Sequence, residues 1–75
     1  MGGATGDARM RVTVNGEPRE VAAGATVAAL LDELGLRPEL VAVEINGALV
    51  PRARRAEHAL ADGDAVELVT LVGGG

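Results

Sequence analysis

The sequence has no cysteine, no aromatic residue and a single histidine, His58. The missing cysteines exclude disulfide bonds, thiolate metal ligands and a cysteine nucleophile. One histidine is too few for the usual histidine-rich zinc site, so we expect no bound metal. The missing aromatic side chains and the net charge of −4 argue against a nucleic-acid-binding protein, which needs stacking surfaces and a basic face. All seven basic residues are arginine, so lysine is absent as well.

Long apolar segments are also missing. The longest stretch without a charged residue, 21–31, has only eleven residues, whereas a membrane-spanning helix needs about 18 or more. The N-terminus has no apolar core region of the kind found in secretory signals. We therefore expect a cytoplasmic protein with no membrane partner.

With 75 residues, the chain is one small domain whose core must be built from valine and leucine. A domain of this size has little room for an enclosed active site. We therefore expect a partner of enzymes and not an enzyme.

Alternating apolar residues and turn signals define the first half of the chain. Residues 1–9 lack apolar periodicity and are predicted to be a flexible leader, with a folded domain over 10–72 and a flexible tail over 73–75. The alternation from Met10 to Val14 predicts a strand. Asn15-Gly16 predicts a hairpin turn, and Pro18 places the return strand, 17–22, at the sheet edge.

The segment 26–35 carries the one clear helical pattern. Apolar residues at i, i+3, i+4 and i+7 form one face, beginning at Val27. Thr26 is suited to the N-cap and Gly35 to the position just after the helix.

Three further strands are predicted after the helix. Residues 41–45 alternate, Asn46-Gly47 forms a second tight turn, and a short strand over 48–50 ends at Pro51. Residues 52–61 have no clear period. The last strand, 65–72, has few polar residues and is predicted to be central and buried on both faces. The order predicts an α+β protein with a β-grasp (ubiquitin-like) mixed sheet, one covering helix, and the last strand parallel to the first.

Side-chain chemistry is sparse. Glu57-His58 is interpreted as a solvated pair, and Asp62 and Asp64 around Gly63 as turn residues. A basic cluster could contact an acidic partner or a phosphate, or could be a solvated patch: Arg52, Arg54 and Arg55.

The remaining candidate is the glycine tail, Gly73-Gly74-Gly75. Without Cβ atoms, such a tail can extend through a narrow enzyme channel, and its terminal carboxylate is ionised at neutral pH. Attack of that carboxylate on ATP would give an acyl-adenylate, which sulfur converts to a thiocarboxylate and an amine to an amide. Since the sequence shows no phosphate-binding loop, we expect no cofactor on this chain and ATP bound by an activating partner.

Several segments together resemble the ThiS family of sulfur carriers in thiamine biosynthesis, within the ThiS/MoaD ubiquitin-like group. The resemblance covers 10–75. It is carried by Val14-Asn15-Gly16-Glu17, Gly24-Ala25-Thr26-Val27, Val41 to Gly47, Leu49-Val50-Pro51-Arg52, Ala56-Glu57-His58, Asp62-Gly63-Asp64 and the final glycines. In one departure, Arg55 stands where the family often has an aromatic residue.

The resemblance implies a mechanism and a set of partners. A ThiF-like enzyme would adenylate Gly75, with Gly73 and Gly74 in its channel. A sulfur donor system based on a cysteine desulfurase would supply the sulfur for the Gly75 thiocarboxylate. A ThiG-like thiazole synthase would then take up this sulfur.

Three alternatives remain open. The first is a plain interaction domain whose glycine tail has no chemical role. A related carrier could serve molybdopterin, cysteine or tRNA thiolation. A ubiquitin-like modifier would join Gly75 to a lysine of another protein, although a chain without lysine cannot form lysine-linked chains of itself.

Overall fold

The computed structural model describes residues 8–71 and confirms the predicted order of strands and helix. The first strand begins at Arg9, one residue before the predicted boundary, and the Ala8 carbonyl accepts a hydrogen bond from the Ala23 amide. The elements are β1 (Arg9–Val14), β2 (Glu17–Ala22), α1 (Val27–Glu33), β3 (Val41–Ile45), β4 (Ala48–Leu49) and β5 (Ala65–Thr70), with short 3₁₀ turns at Pro38–Leu40 and Arg52–Arg54.

The strands form one mixed sheet in the order β2-β1-β5-β3-β4. Strand β5 lies at its centre, parallel to β1 and antiparallel to β3, and β2 lies at an edge, as predicted. Proline has no amide hydrogen to donate. It is tolerated at position 18 because the main-chain nitrogen there faces solvent at the sheet edge. Two hairpins around one helix, with the last strand between them, make this a β-grasp fold.

Helix α1 begins and ends at the predicted signals. The Thr26 hydroxyl accepts a hydrogen bond from the Ala29 amide at 3.1 Å, which caps the first turn. At the other end, the Gly35 amide donates to the Asp32 carbonyl and the Leu36 amide to the Leu31 carbonyl, the pattern of a Schellman motif. Gly35 has a φ of 73° there, a conformation that favours glycine.

The helix packs on one face of the sheet and forms an aliphatic core with it. Leu30 and Leu31 of α1 are each 1% exposed. They contribute to a single cluster of buried side chains with Val12, Val21, Val27, Val41, Val43, Ile45, Val50, Leu60 and Val66.

The prediction that β5 is buried on both faces is wrong. Val66 points into the core, but the alternate residues Ala65, Glu67 and Val69 are exposed. Successive side chains of a strand point to opposite faces of the sheet, and α1 covers only one of them. Central position in the sheet therefore did not bring burial on both sides. We call the uncovered side the open face.

The two Asn-Gly turns are hydrogen-bonded to β5 in the same way. Asn15 and Asn46 have φ values of 51° and 53°, the left-handed conformation that this turn type requires. The Asn15 side-chain oxygen accepts from the Leu68 amide at 2.8 Å, and the Asn46 side-chain oxygen accepts from the Ala65 amide at 2.9 Å. Both hairpins are thus fastened to the last strand.

Within residues 8–71, no helix is long and apolar enough to cross a membrane.

Candidate functional site

The open face carries large apolar side chains around the end of β5. Leu49, Val69 and Leu71 are 65%, 55% and 49% exposed. Ala42 of β3 lies directly opposite Val69 across the strand pair. Beyond the strand, the Leu71 amide donates to the Leu40 carbonyl at 2.6 Å, so the 3₁₀ turn before β3 supports the chain as it leaves the sheet. Three large apolar side chains exposed on one face of the sheet make this face a candidate binding surface.

Sequence reasoning missed these apolar side chains as candidate contacts. The interpretation of 65–72 as a fully buried strand assigned Val69 and Leu71 to the core. A count of elements would have found them, because one short helix cannot cover both faces of a five-stranded sheet.

The predicted reactive residue Gly75 and the predicted channel residues Gly73 and Gly74 lie outside the described residues. Val72, the last residue of the predicted strand, lies outside them too. The structure describes the residues that lead to this tail: β5 ends at Thr70, and Leu71 follows it at the surface.

The predicted arginine cluster is divided by the structure. Arg52 and Arg54 are exposed in the 3₁₀ turn that follows Pro51. They stay candidates for contact with an acidic partner. Arg55 is only 6% exposed and cannot act with them.

Arg55 is a structural residue, which corrects the prediction that it contacts a partner. Its guanidinium group donates to the carbonyl of Pro38, at 2.8 Å, and to that of Val41. Its own carbonyl accepts from the Ala28 amide in the first turn of α1. Arg55 therefore joins three segments around the core. It occupies the position at which the family resemblance leads one to expect an aromatic side chain.

A groove of about 680 Å³ lies beside β4 and the loop that leads to β5. Arg54, Glu57 and His58 line its polar part, and Leu49 and Pro51 line its apolar part. The His58 carbonyl accepts from the Val27 amide at the start of α1, so the main chain at this histidine supports the helix. None of the residues that line the groove is a serine, threonine or cysteine that could act as a nucleophile beside His58.

Asp62 and Asp64 are turn residues, as predicted. The Asp62 carboxylate accepts from the Arg11 amide at 2.8 Å. The Asp64 carboxylate accepts from the Ala61 amide at 2.8 Å and from the Asn46 side chain at 2.9 Å. These bonds fix the loop immediately before β5.

Over residues 8–71, no three histidine or carboxylate side chains are grouped so that they could hold a metal ion. The arrangement pairs the last strand on both sides and presents exposed apolar side chains beside it.

Comparison with known proteins agrees with this picture. Residues 12–75 match the ThiS family. The sulfur carrier protein ThiS of Escherichia coli strain K12 is 38% identical over 66 residues, covering 88% of this chain and 100% of that protein.

Two thiazole synthases are also similar to the chain. Those of Paramagnetospirillum magneticum and Magnetococcus marinus are 47% and 44% identical, each over 66 residues and 88% of this chain. The chain spans only 20% of the length of either synthase.

The same relationship is seen in three dimensions. The crystal structure of the thiamine biosynthesis protein ThiS from Geobacter metallireducens superposes with a TM-score of 0.77 at 40% sequence identity, covering 88% of this chain and 100% of that one. Family match, full-length relatives and fold therefore agree, and the chain belongs to the ThiS family.

Proposed function

We propose that this chain is a sulfur carrier for thiazole formation in thiamine biosynthesis, with Gly75 as the residue that carries the sulfur. The observation that carries the proposal is the family match, which runs through the terminal glycines to residue 75. The full-length similarity to sulfur carriers of the same family supports it.

The chemistry uses the main-chain end and no side chain. A carboxylate oxygen of Gly75 attacks the α-phosphorus of ATP and pyrophosphate leaves, which gives an acyl-adenylate. A hydrosulfide equivalent derived from cysteine then attacks the acyl carbon and AMP leaves, which gives a thiocarboxylate. A ThiF-like enzyme would hold ATP for the first step, and a cysteine desulfurase would supply sulfur for the second. The chain is then a co-substrate and not an enzyme.

The fold supports this role through the position of the tail. Strand β5 is held on both sides, by β1 and β3, and four residues follow Leu71. Fully extended, four residues reach at most about 14 Å. An enzyme that acts on Gly75 must therefore come close to the end of β5, where the open face offers apolar contacts.

The receiving enzyme is proposed to be a ThiG-like thiazole synthase. The similarity of two thiazole synthases to this chain over 66 residues supports an association between the two activities. We also propose the cytoplasm as the compartment, since the proposed partners use ATP and cysteine.

The test is mass spectrometry after incubation with a ThiF-like enzyme, ATP, Mg²⁺ and a sulfur donor. Cleavage at arginine releases residues 56–75, a peptide without methionine or cysteine. The mass gain of a sulfur-for-oxygen exchange in this peptide therefore cannot come from oxidation of Met1 or Met10. We expect the gain only when ATP is present. An unmodified peptide in the complete reaction would contradict the proposal.

A matched pair of variants tests the glycine tail. Gly74→Val adds a branched side chain where the proposed channel is narrow, and misplacement of the reacting carboxylate should lower adenylation by about 100-fold. Gly3→Val makes the same change in the N-terminal segment and should leave adenylation unchanged. Both variants should unfold at the same temperature as the unmodified chain. Normal adenylation of Gly74→Val would show that the channel argument is wrong.

Consumption of the thiocarboxylate identifies the pathway. Thiocarboxylated protein should lose its sulfur to a thiazole synthase supplied with its other substrates. Loss to a molybdopterin synthase large subunit, with none to the thiazole synthase, would replace the thiamine assignment with the alternative.

A further inference from the structure

Two glutamates face each other on the open face. Glu44 of β3 and Glu67 of β5 are direct cross-strand partners in the antiparallel pair, and both are exposed. Side chains in this relation have Cβ atoms about 4.5–5.5 Å apart, and like charges placed so destabilise a sheet. The chain thus keeps an unfavourable pair at the centre of its exposed surface.

Within residues 8–71, no arginine forms an ion pair with either glutamate. All seven arginines lie within residues 8–71, and the two ion pairs found there join other residues, Arg11 with Glu20 and Arg19 with Glu33. Arg11 lies on the open face but over β1, where Glu20 of β2 is its cross-strand partner. The two carboxylates are therefore available to a cation from outside.

The surroundings identify the kind of partner. Leu49 lies directly opposite Glu44 on β4, and Val69 follows Glu67 on the same face of β5. The carboxylates are thus flanked by exposed apolar side chains on the path to the tail. A surface of mixed apolar and acidic character fits a protein partner that brings a cationic side chain together with apolar ones.

We propose that Glu44 and Glu67 recognise an arginine side chain on the adenylating enzyme. The inference rests on the proposed function, because an enzyme that reaches Gly75 across about 14 Å of chain must come close to the end of β5, the strand that carries Glu67. A guanidinium group is planar and carries five donors, so it can bind both carboxylates at once. Burial of Val69 and Leu49 around it would exclude water and strengthen the contact.

The arrangement predicts that one substitution stabilises the free protein and weakens its binding to the enzyme. Neutralising one glutamate removes the repulsion in the free protein, so the unfolding temperature of Glu67→Gln should rise, by about 1–3 °C. The same change removes half of the arginine site, so the KM of the adenylating enzyme for this chain should rise by about 10-fold with kcat unchanged. Substitution of a residue with a merely structural role would not raise both the unfolding temperature and KM.

The experiment measures ATP–pyrophosphate exchange by the ThiF-like enzyme as a function of carrier concentration. The variants are Glu44→Gln, Glu67→Gln and the double variant, each compared with the unmodified chain at low and high salt. Glu17→Gln is the matched control, because it makes the same change in net charge at an exposed position on the edge strand β2. We expect its KM to stay within about 2-fold of the unmodified chain, because Glu17 lies opposite Val14, which packs against the core, and thus on the other face of the sheet from Glu67.

The outcomes separate this inference from the proposed function. Exchange with the unmodified chain and an unchanged KM for Glu44→Gln and Glu67→Gln would overturn the inference alone. An equal rise in KM for Glu17→Gln would also overturn it, because the attraction would then be a general effect of charge. Absence of exchange with the unmodified chain would overturn both proposals.

Discussion

The two faces of the sheet are built from the same strands but serve different ends. On the helix side, Val43 and Val66 are at most 1% exposed. On the open face, their neighbours Glu44, Glu67 and Val69 are exposed. A chain with one short helix can cover only one face, so the stability of the fold comes from the helix side. The open face is therefore free to bind a partner, and alternate residues of one strand carry the two tasks.

The largest effect on stability is expected when a core side chain on the helix side is truncated. Leu30→Ala should lower the free energy of unfolding by about 2–5 kcal/mol, because it removes buried methyl groups and leaves a cavity. Leu49→Ala makes the same change at a side chain that is 65% exposed and should cost at most about 0.5 kcal/mol. Urea denaturation of both variants measures the difference. Equal losses would show that the open face is as important for stability as the core.

An intermediate effect is expected for the one buried arginine. Arg55→Met keeps an apolar stem but removes the guanidinium donors from the carbonyls of Pro38 and Val41. The Pro38 carbonyl keeps the Val41 amide as a donor, and the loss should cost about 1–3 kcal/mol. Arg54→Met changes the exposed neighbour and should stay within about 0.5 kcal/mol of the unmodified chain. Thermal unfolding at constant pH distinguishes the two. If Arg55→Met were as stable as Arg54→Met, the bonds of Arg55 would contribute nothing to the fold.

The smallest effect is expected on the open face. Val69→Thr keeps the branched shape that suits a strand and places a hydroxyl group where solvent can reach it. The free energy of unfolding should change by no more than about 0.5 kcal/mol. Chemical denaturation provides the measurement. A loss above 2 kcal/mol would mean that this face is covered in the folded protein and that the contrast between the faces is wrong.

Local signals in the sequence were sufficient for the elements and for much of their order. The alternation in β1 and β3, the Thr26 cap, the glycine after the helix and the two Asn-Gly turns act over a few residues, so they can be read directly from the sequence. Pro18 also placed β2 at the edge correctly. These features depend on backbone chemistry that is the same in any surroundings.

The errors came from features that depend on distant parts of the chain. Whether β5 is covered on a second face depends on how many elements pack against the sheet, which the residues of β5 do not show. Arg55 follows two other arginines within four residues and looked like part of a solvated patch. Its burial depends on the carbonyls of Pro38 and Val41, which are 17 and 14 residues away.

Because β5 is hydrogen-bonded to a strand on each side, it resists the force of an enzyme that pulls on the tail. Traction on the C-terminus would act along the axis of β5, whereas the hydrogen bonds to its neighbours run roughly across it. The load would fall on all of these bonds and on both asparagine side chains at the same moment, in shear. The bonds would not open one after another, as they would at a peeling edge. An enzyme could therefore pull on the tail without unfolding the domain.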